Sequence, residues 1–367
     1  MENQYKLRLD SIEAVLDKWL PVKPDSSWLE RIFGSRGEVS PDLAVTLTRP
    51  AWDLVNRGGK RWRPLLMVLT AEAVAGEPGY ETALPLTPLV EFAHNASLMH
   101  DDIEDNSEER RGKPAVHLLY GTDTAINSGA FMYFLSSACL FASQNELKSR
   151  ENFAIFQNRI WAAWADHLAS LHLGQAMDIA WHRDFRSLPG LEEYDRMCRL
   201  KTGCLARLAG VLGVYSGGSC INVNAGALDT VADIFGNGAE LLGVGFQILD
   251  DVKNLSTGIP GKKRGDDIVE GKKSLPVLLY LHRYPEKRDF TARCFSAARA
   301  AGTDAPEVEA MIDSLSGAGV LEEAREIALF YLEKSRKIFS GDTPVPEGFI
   351  LKKEGLTLLS GLIDQLT

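Results

Sequence analysis

Residues 92–105 read Phe-Ala-His-Asn-Ala-Ser-Leu-Met-His-Asp-Asp-Ile-Glu-Asp, an apolar stretch that runs directly into a cluster of carboxylates. On a helix, Asp101 and Asp105 are one turn apart and share a face, with Asp102 beside them. Three carboxylates at one place repel one another unless a cation neutralises them, and magnesium prefers oxygen ligands. A solvated acidic helix face is the alternative. The apolar stretch before the cluster and Arg110-Arg111-Gly112 after it favour a metal site that receives a diphosphate.

A second acidic cluster repeats this spacing at Asp250, Asp251 and Asn254, again after an apolar segment, residues 241–249. The amide of Asn254 replaces a carboxylate and can still ligate a metal or form hydrogen bonds. Gln247 precedes Asp251 by one turn, so it is expected to face the same cavity. Metal ions bridging two such clusters would stabilise the charge that grows as a diphosphate leaves carbon.

Three basic segments complete the pattern. Gly58–Pro64 supplies Lys60, Arg61 and Arg63, and Trp62 and Pro64 indicate a segment docked on the core, where a surface charge run is the alternative. Lys201-Thr202-Gly203 joins a cation to a hydroxyl, and residues 261–272 form a charged, glycine-rich stretch expected to close over phosphates. A plain solvated loop is the alternative for this last stretch. Together the five motifs predict a pocket that ionises an allylic diphosphate and joins it to a second diphosphate.

Bulk composition limits the function classes. The chain has 367 residues, 45% of them hydrophobic, and a net charge of −10, which excludes general nucleic-acid binding. The five cysteines form no CxxC pair, so buried thiols are expected rather than disulfides or zinc ligands. We also expect no transmembrane segment and, from an N-terminus without an apolar signal core, a cytoplasmic protein. An organellar form processed at its N-terminus stays open.

The pattern of apolar residues is helical nearly throughout, as in residues 116–142, 158–181 and 225–244. Ser40-Pro41-Asp42 predicts a helix start. The motifs lie far apart in sequence yet must meet on one substrate. We therefore expect an all-α fold with one large helical domain around a central cavity, residues 46–367, preceded by an N-terminal helical extension, residues 1–45.

These motifs resemble those of the trans-isoprenyl diphosphate synthases, over most of the chain from about Arg49 to Tyr280. Residues 94–112, 126–135 and 174–179 are most similar to geranylgeranyl diphosphate synthases of the eukaryotic type. Asn254 departs from the usual second DDxxD motif of the family, but that eukaryotic type carries asparagine there as well.

The resemblance implies an all-α isoprenoid synthase fold, a homodimer and three Mg²⁺ ions with substrate. It also implies a reaction by ionisation, condensation and proton elimination, with no side-chain nucleophile. It assigns isopentenyl diphosphate to Lys60, Arg63, His94 and Arg111. It assigns the allylic diphosphate to Arg110, Lys201, Thr202, Gln247, Lys262 and Lys272. The metal ligands would be Asp101, Asp105 and Asp250, supported by Asp102 and Asp251. Asp101, Asp102, Asp105, Lys201 and Asp250 would be catalytic.

Product length should depend on the depth of an apolar tunnel below the first acidic cluster. Ala96 and Ser97, about one turn before Asp101, are small, whereas short-chain enzymes of the family often place an aromatic side chain there. Residues 131–134 are bulky and would form the next floor, so we hypothesise a C20 product.

Four alternatives differ from this reading. A farnesyl diphosphate synthase or a synthase of longer polyprenyl chains would share the chemistry and differ in tunnel depth. A class I terpene cyclase leaves Gly58–Arg63 and His94 unexplained. A regulatory subunit would keep the fold, but such subunits usually lose acidic ligands that this chain retains.

Overall fold

The computed structural model describes residues 2–34, 39–147, 153–258 and 263–366, and it is almost wholly helical. The helices are α1 (Glu2–Trp19), α2 (Ser26–Phe33), α3 (Pro41–Asn56), α4 (Trp62–Ala75), α5 (Glu77–Ala83), α6 (Pro88–Glu104), α7 (Val116–Tyr120), α8 (Thr122–Leu147), α9 (Phe153–Arg183), α10 (Leu191–Cys198), α11 (Cys204–Gly218), α12 (Ala225–Asn254), α13 (Asp266–Glu270), α14 (Leu275–Arg283), α15 (Arg288–Ala301), α16 (Pro306–Gly317), α17 (Val320–Phe339) and α18 (Lys353–Leu366). Two short antiparallel strands, β1 (Glu109–Arg110) and β2 (Lys113–Pro114), form a hairpin. The predicted all-α class is confirmed.

Local sequence signals place several helix ends. Ser40 caps α3, where its side chain accepts a hydrogen bond from the Asp42 backbone N–H at 3.3 Å and Pro41 takes the first helical position, as predicted. The predicted helix over residues 116–142 is instead divided at Gly121, whose φ of 91° suits glycine, into α7 and α8.

The chain divides into two compact units: unit 1 comprises Met1–Ala165, Leu208–Gly236 and Phe339–Leu362, and unit 2 comprises Asp166–Arg207, Asn237–Ile338 and Ile363–Thr367. In unit 1 every residue of α4 is buried, which is the expected environment of a helix that is apolar on all sides. In unit 2 the buried helix α14 supplies a continuous apolar run. The predicted boundary at residue 45 stays a prediction.

Two predictions about composition have different outcomes. None of the five cysteines, all within the described residues, forms a disulfide, and four of them are buried. Within the described residues, Thr122–Ala142 of α8 meets the criterion of length and composition for a membrane span, with half of it buried, so the expectation of no transmembrane segment stays a prediction. The helix combines small and polar uncharged residues with bulky apolar ones, and a core helix of a soluble protein meets the same criterion.

Candidate active site

The first acidic cluster lies at the C-terminal end of α6. Asp102 is fully buried and its Oδ1 accepts hydrogen bonds from Arg110 Nε at 2.8 Å and Nη2 at 2.5 Å. Asp101 is half-buried, with Oδ2 at 3.6 Å from Arg110 Nη2, and Asp105 follows the last residue of α6. The predicted carboxylates therefore lie together, and Arg110 neutralises part of their charge.

The β1–β2 hairpin presents Arg111 at its turn. Arg111 has φ 56° and the following Gly112 has φ 74°, so a bulky residue occupies the left-handed region, which marks a strained and often functional position. Its guanidinium donates through Nη1 to the Leu54 carbonyl at 3.0 Å and to Asn95 Oδ1 at 3.1 Å. These bonds hold Arg111 in place against the cost of its backbone conformation.

Arg57, at the end of α3, holds the hairpin from its other side. Its Nη1 donates to the carbonyl oxygens of Arg110 at 3.0 Å and Pro114 at 2.9 Å, while Nη2 donates to Asp53 at 2.7 Å. The Arg57 side chain is completely buried. The hairpin thus has a defined position although only two pairs of residues form its ladder.

The first basic segment begins α4. Gly58 and Gly59 have φ of 86° and 145°, conformations that favour glycine, and an added Cβ at Gly59 would lie 3.2 Å from Arg111 Nη2. Lys60 is exposed, while Arg63 is buried and its Nη1 lies 3.5 Å from His94 Nε2. The segment is docked on the core, as predicted.

Positive charge accumulates around Arg111 and His94. Burial lowers the pKa of Arg111 to about 10. The negative charge of Glu91 opposes this shift, and the positive charges of Arg61, Arg110 and Arg57 reinforce it. Burial, followed by Arg63 and Arg111, lowers the pKa of His94 well below 6.5, so its ring is neutral at pH 7. A bound polyanion would relieve this repulsion, which makes the pocket suited to a diphosphate.

In unit 2, Lys201 and Thr202 lie on a π-helical turn, Arg199–Gly203, between α10 and α11; such turns are frequent at functional sites. Lys201 Nζ lies 2.5 Å from Asp178 Oδ2 on α9. An added Cβ at Gly174 of α9 would lie 2.3 Å from the Lys201 backbone nitrogen. The turn therefore rests directly on α9.

A chain of hydrogen bonds leads from this turn to the second acidic cluster. Thr202 Oγ1 donates to Gln247 Oε1 at 2.8 Å, and Gln247 Nε2 donates to Asp251 Oδ1 at 2.7 Å. Tyr194, on α10, donates its hydroxyl to Asp251 Oδ2 at 3.0 Å. Burial and then the nearby Asp267 raise the pKa of Asp251 to about 8, so the cluster disfavours its own negative charge. Asp250 is half-buried beside it.

Lys272, in the segment that follows α12, also belongs to unit 2. Lys272 Nζ forms an ion pair with Glu270 and lies 3.9 Å from Asp267 Oδ1. Asn254 is buried and accepts a hydrogen bond from the Asp267 backbone N–H at 3.3 Å, so its amide holds α13. Lys262 lies outside the described residues, and the predicted closure of residues 261–272 stays a prediction.

Comparison with known proteins assigns the family. The polyprenyl synthetase family model matches residues 44–313, a span that includes the acidic and basic motifs described above. The chain belongs to the polyprenyl synthetase family. This polyprenyl synthetase is accordingly a trans-prenyltransferase, as the motifs indicated.

Two relatives and one solved structure illustrate the match. A geranylgeranyl pyrophosphate synthase of Geoglobus acetivorans is 34% identical over 79% of this chain and 83% of its own. A geranylfarnesyl diphosphate synthase of Aeropyrum pernix is 31% identical over 88% of this chain and 93% of its own. The crystal structure of geranylgeranyl pyrophosphate synthetase from Pyrococcus horikoshii Ot3 superposes with a TM-score of 0.75 at 25% identity, covering 99% and 98% of the two chains.

The carboxylates of this polyprenyl synthetase fit magnesium. Within the described residues no three His, Cys, Asp or Glu side chains by themselves form a metal-binding group. Magnesium, however, usually takes one or two carboxylates together with substrate phosphates. Asp102 Oδ2 is buried and accepts no hydrogen bond within the described residues, and the half-buried Asp101 lies beside it. This oxygen-rich arrangement suits a hard cation.

The predicted tunnel floor is partly wrong. Phe134 is 72% exposed, and Phe131 stacks on Phe33 of α2 with ring centroids 6.0 Å apart, so the four predicted residues do not form one surface. Four consecutive residues of a helix cannot all face one side, because each is turned by about 100° from the last. Two of the four residues remain candidates for the floor. They are the buried Met132 and Tyr133, whose ring centroid lies 5.8 Å from that of His100.

Ala96 is fully buried and Ser97 half-buried, in keeping with their predicted position on α6.

Several side chains that these sites depend on were not predicted from the sequence. The sequence did not single out the residues that orient the predicted ligands: Arg57, Glu91, Asn95, Asp178 and Tyr194. The spacing of Glu91 and Asn95, one turn apart in an apolar helix, was the available signal, because buried polar residues need partners.

Proposed function

We propose that this prenyltransferase condenses isopentenyl diphosphate with an allylic diphosphate, farnesyl diphosphate or a shorter primer, to give geranylgeranyl diphosphate. The observation that carries the proposal lies within unit 1. There a cation-lined pocket containing Arg63, His94 and Arg111 accompanies the carboxylate end of α6. A cyclase, which ionises a single diphosphate, needs the carboxylates but has no use for a second anion pocket.

The first pocket supports binding of isopentenyl diphosphate. Arg63 and Arg111 offer forked N–H donors to phosphate oxygens, and the exposed Lys60 adds a point charge. His94, whose pKa is lowered by burial and then by its arginine neighbours, can donate one hydrogen bond without adding to the repulsion. The burial of Arg63 lowers the local dielectric around this cation and would strengthen its bonds to a phosphate.

The second set lies in unit 2 and supports binding of the allylic diphosphate by Lys201, Thr202, Gln247 and Lys272. In unit 2, Gln247 is fixed between Thr202 and Asp251, so its amide has one defined orientation. Lys201 is paired with Asp178 and Lys272 with Glu270, and these contacts hold the two ammonium groups in place.

Mg²⁺, three ions with substrate, would be held at Asp101, Asp105 and the supporting Asp102 in unit 1, and at Asp250 and the supporting Asp251 in unit 2. When bound, it would stabilise the charge that develops on a leaving diphosphate. The carboxylates of this chain do the positioning. Arg110 pulls Asp102 into one orientation, and Tyr194 and Gln247 do the same for Asp251. The raised pKa of Asp251 follows from burial and from Asp267, and a cation would reverse that direction.

A C20 product is supported by the small residues one turn before the carboxylates and by the relative from Geoglobus acetivorans, named a geranylgeranyl pyrophosphate synthase. Ala96 is fully buried, so a larger side chain there would reduce the space that a growing chain needs. The Aeropyrum pernix relative, named a geranylfarnesyl diphosphate synthase, favours a C25 product as the second candidate.

A homodimer is supported by the outer face of α8. Ile126, Phe134 and Phe141 are between 49% and 72% exposed, and Trp161 of α9 packs on Phe141 with ring centroids 5.5 Å apart. An apolar surface of this kind is typical of a face that another protein covers. A second copy of the same chain is the simplest occupant, since most soluble oligomers are symmetric assemblies of one chain.

The test is an assay with labelled isopentenyl diphosphate, Mg²⁺ and farnesyl diphosphate, with product length read by chromatography. A single C20 product supports the proposal, a C25 product selects the second candidate, and no condensation with any allylic primer refutes the proposed activity. The Ala96→Phe variant should move the product towards C15. Its melting temperature and total isoprene incorporation separate a shortened tunnel from a damaged fold.

A further inference from the structure

The N-terminal helix α1 reaches into the first basic segment. Glu13 of α1 accepts hydrogen bonds from Arg61, with Oε1 at 2.7 Å from Nε and Oε2 at 3.4 Å from Nη2. A second ion pair joins α1 to α4, where Arg8 Nη2 lies 2.6 Å from Glu72 Oε1. The first contact touches the candidate isopentenyl diphosphate pocket, and the second is a contact between helices alone.

The guanidinium of Arg61 is bonded to protein groups. It is 5% exposed, and its Nη1 donates to Glu91 Oε1 at 2.8 Å while Nη2 donates to the Val55 carbonyl at 2.5 Å. Its backbone is left-handed, with φ 46°, at the residue that precedes the first turn of α4. Burial lowers its pKa, but Glu91 and Glu13 raise it by more, so the group stays charged and neutralised. The sequence had instead predicted that Arg61 is one of the cations that bind phosphate oxygens.

From Glu91 the contacts continue to a proposed ligand. Asn95 Nδ2 donates to Glu91 Oε1 at 2.8 Å, and Asn95 Oδ1 accepts from Arg111 Nη1 at 3.1 Å. Glu91 and Asn95 are 2% and 0% exposed, so these bonds are shielded from water. Every member of the path Glu13–Arg61–Glu91–Asn95–Arg111 is hydrogen-bonded to the next.

We propose that Glu13 and Arg61 are positioning residues for the isopentenyl diphosphate pocket: α1, through Glu13, fixes the Arg61 fork, which orients Arg111 and immediately precedes α4, whose second residue is Arg63. The inference rests on the proposed function of that pocket. Because two carboxylates neutralise Arg61, it acts through geometry and not through its charge. Four hydrogen bonds from one planar group to Glu13, Glu91 and Val55 require a guanidinium, which an ammonium does not replace.

The experiment measures the dissociation constant of isopentenyl diphosphate by calorimetry on the full chain, and KM and kcat with farnesyl diphosphate and Mg²⁺. The variants are Glu13→Gln and Arg61→Lys, and Arg8→Gln is the matched control that loosens α1 without touching the pocket. We expect Glu13→Gln to weaken the binding of isopentenyl diphosphate about fivefold, the scale of one ordinary hydrogen bond. Its KM for farnesyl diphosphate and its kcat should stay near wild type, and Arg8→Gln should change binding by less than about twofold.

Two results would overturn the inference. Equal weakening by Glu13→Gln and Arg8→Gln would mean that α1 only stabilises the fold. Wild-type binding by Arg61→Lys would mean that charge suffices and the fork has no positioning role. A wild-type protein that binds isopentenyl diphosphate but yields no condensation product refutes the proposed function, while the comparison of dissociation constants still decides the inference.

Discussion

Gly174 provides a direct test of how the π-helical turn is held. An alanine Cβ at this position of α9 would lie 2.3 Å from the Lys201 nitrogen, 2.6 Å from the Leu200 carbonyl carbon and 2.8 Å from the Lys201 Cα. All three atoms belong to the backbone, so no side chain can rotate away. The shortest contact is about 1.1 Å inside the 3.4 Å at which ordinary contact begins.

The size of the effect follows from that shortfall. Overpacking of this kind costs about 1–3 kcal/mol, and replacing glycine in a helix by alanine returns up to about 1 kcal/mol. We therefore expect Gly174→Ala to lower the free energy of unfolding by about 1–2 kcal/mol. A shift of about 1 Å in Lys201 and Thr202 should lower kcat by on the order of 100-fold.

The assay combines urea unfolding with steady-state kinetics for both diphosphates. Gly317→Ala is the matched control, because an added Cβ at this helical glycine meets nothing within 4 Å. It should leave the kinetics unchanged and raise stability by up to about 1 kcal/mol. If Gly174→Ala instead shows wild-type kcat and unfolding, the turn does not depend on close contact with α9 and our account of Lys201 is wrong.

Three further predictions concern single side chains. Burial lowers the pKa of Lys273 from 10.5 to about 8. Between pH 8 and pH 10.5 the unfolded chain therefore binds more protons than the folded one, so the free energy of unfolding should rise with pH by up to about 3 kcal/mol. Lys273→Met should flatten that rise in urea unfolding from pH 7.5 to 10.5, and an unchanged slope would contradict the shift. Arg57→Lys keeps the charge but loses the fork that holds the β1–β2 hairpin, so KM for isopentenyl diphosphate should rise about tenfold with kcat spared; a normal KM would show that the hairpin holds without it. Thr202→Val removes the hydroxyl that orients Gln247, so kcat/KM for farnesyl diphosphate should fall about tenfold while Thr202→Ser retains it; equal loss in both variants would assign the effect to packing.

The sequence predicted the elements and the chemistry because both depend on local patterns. The apolar run before Asp101 predicts a buried helix, and Pro41 predicts the start of α3, and both are found. The same local reasoning failed for residues 131–134, where it treated neighbours on one helix as one surface. Met132 is buried while Phe134 is exposed, and this difference depends on how the helix packs and not on its composition.

Asn254 shows a different limit of sequence reasoning. Its spacing from Asp250 left two uses open, a metal ligand or a hydrogen-bonding group, and the structure gives its amide a partner in the backbone of Asp267. An amide can serve either purpose, and the choice depends on which backbone group lies within about 3 Å once the chain has folded.

By itself the sequence determined the helical class, the family and the identity of the charged residues, because helix periodicity and motif spacing are properties of neighbours along the chain. The tertiary structure alone decided which charges act directly and which hold others in place. Arg61 and Arg63 are two residues apart, yet Arg61 meets Glu13 and Glu91 while Arg63 lies beside His94. That division comes from burial and from partners distant in sequence, since a buried charge must find an opposite charge wherever the fold places one.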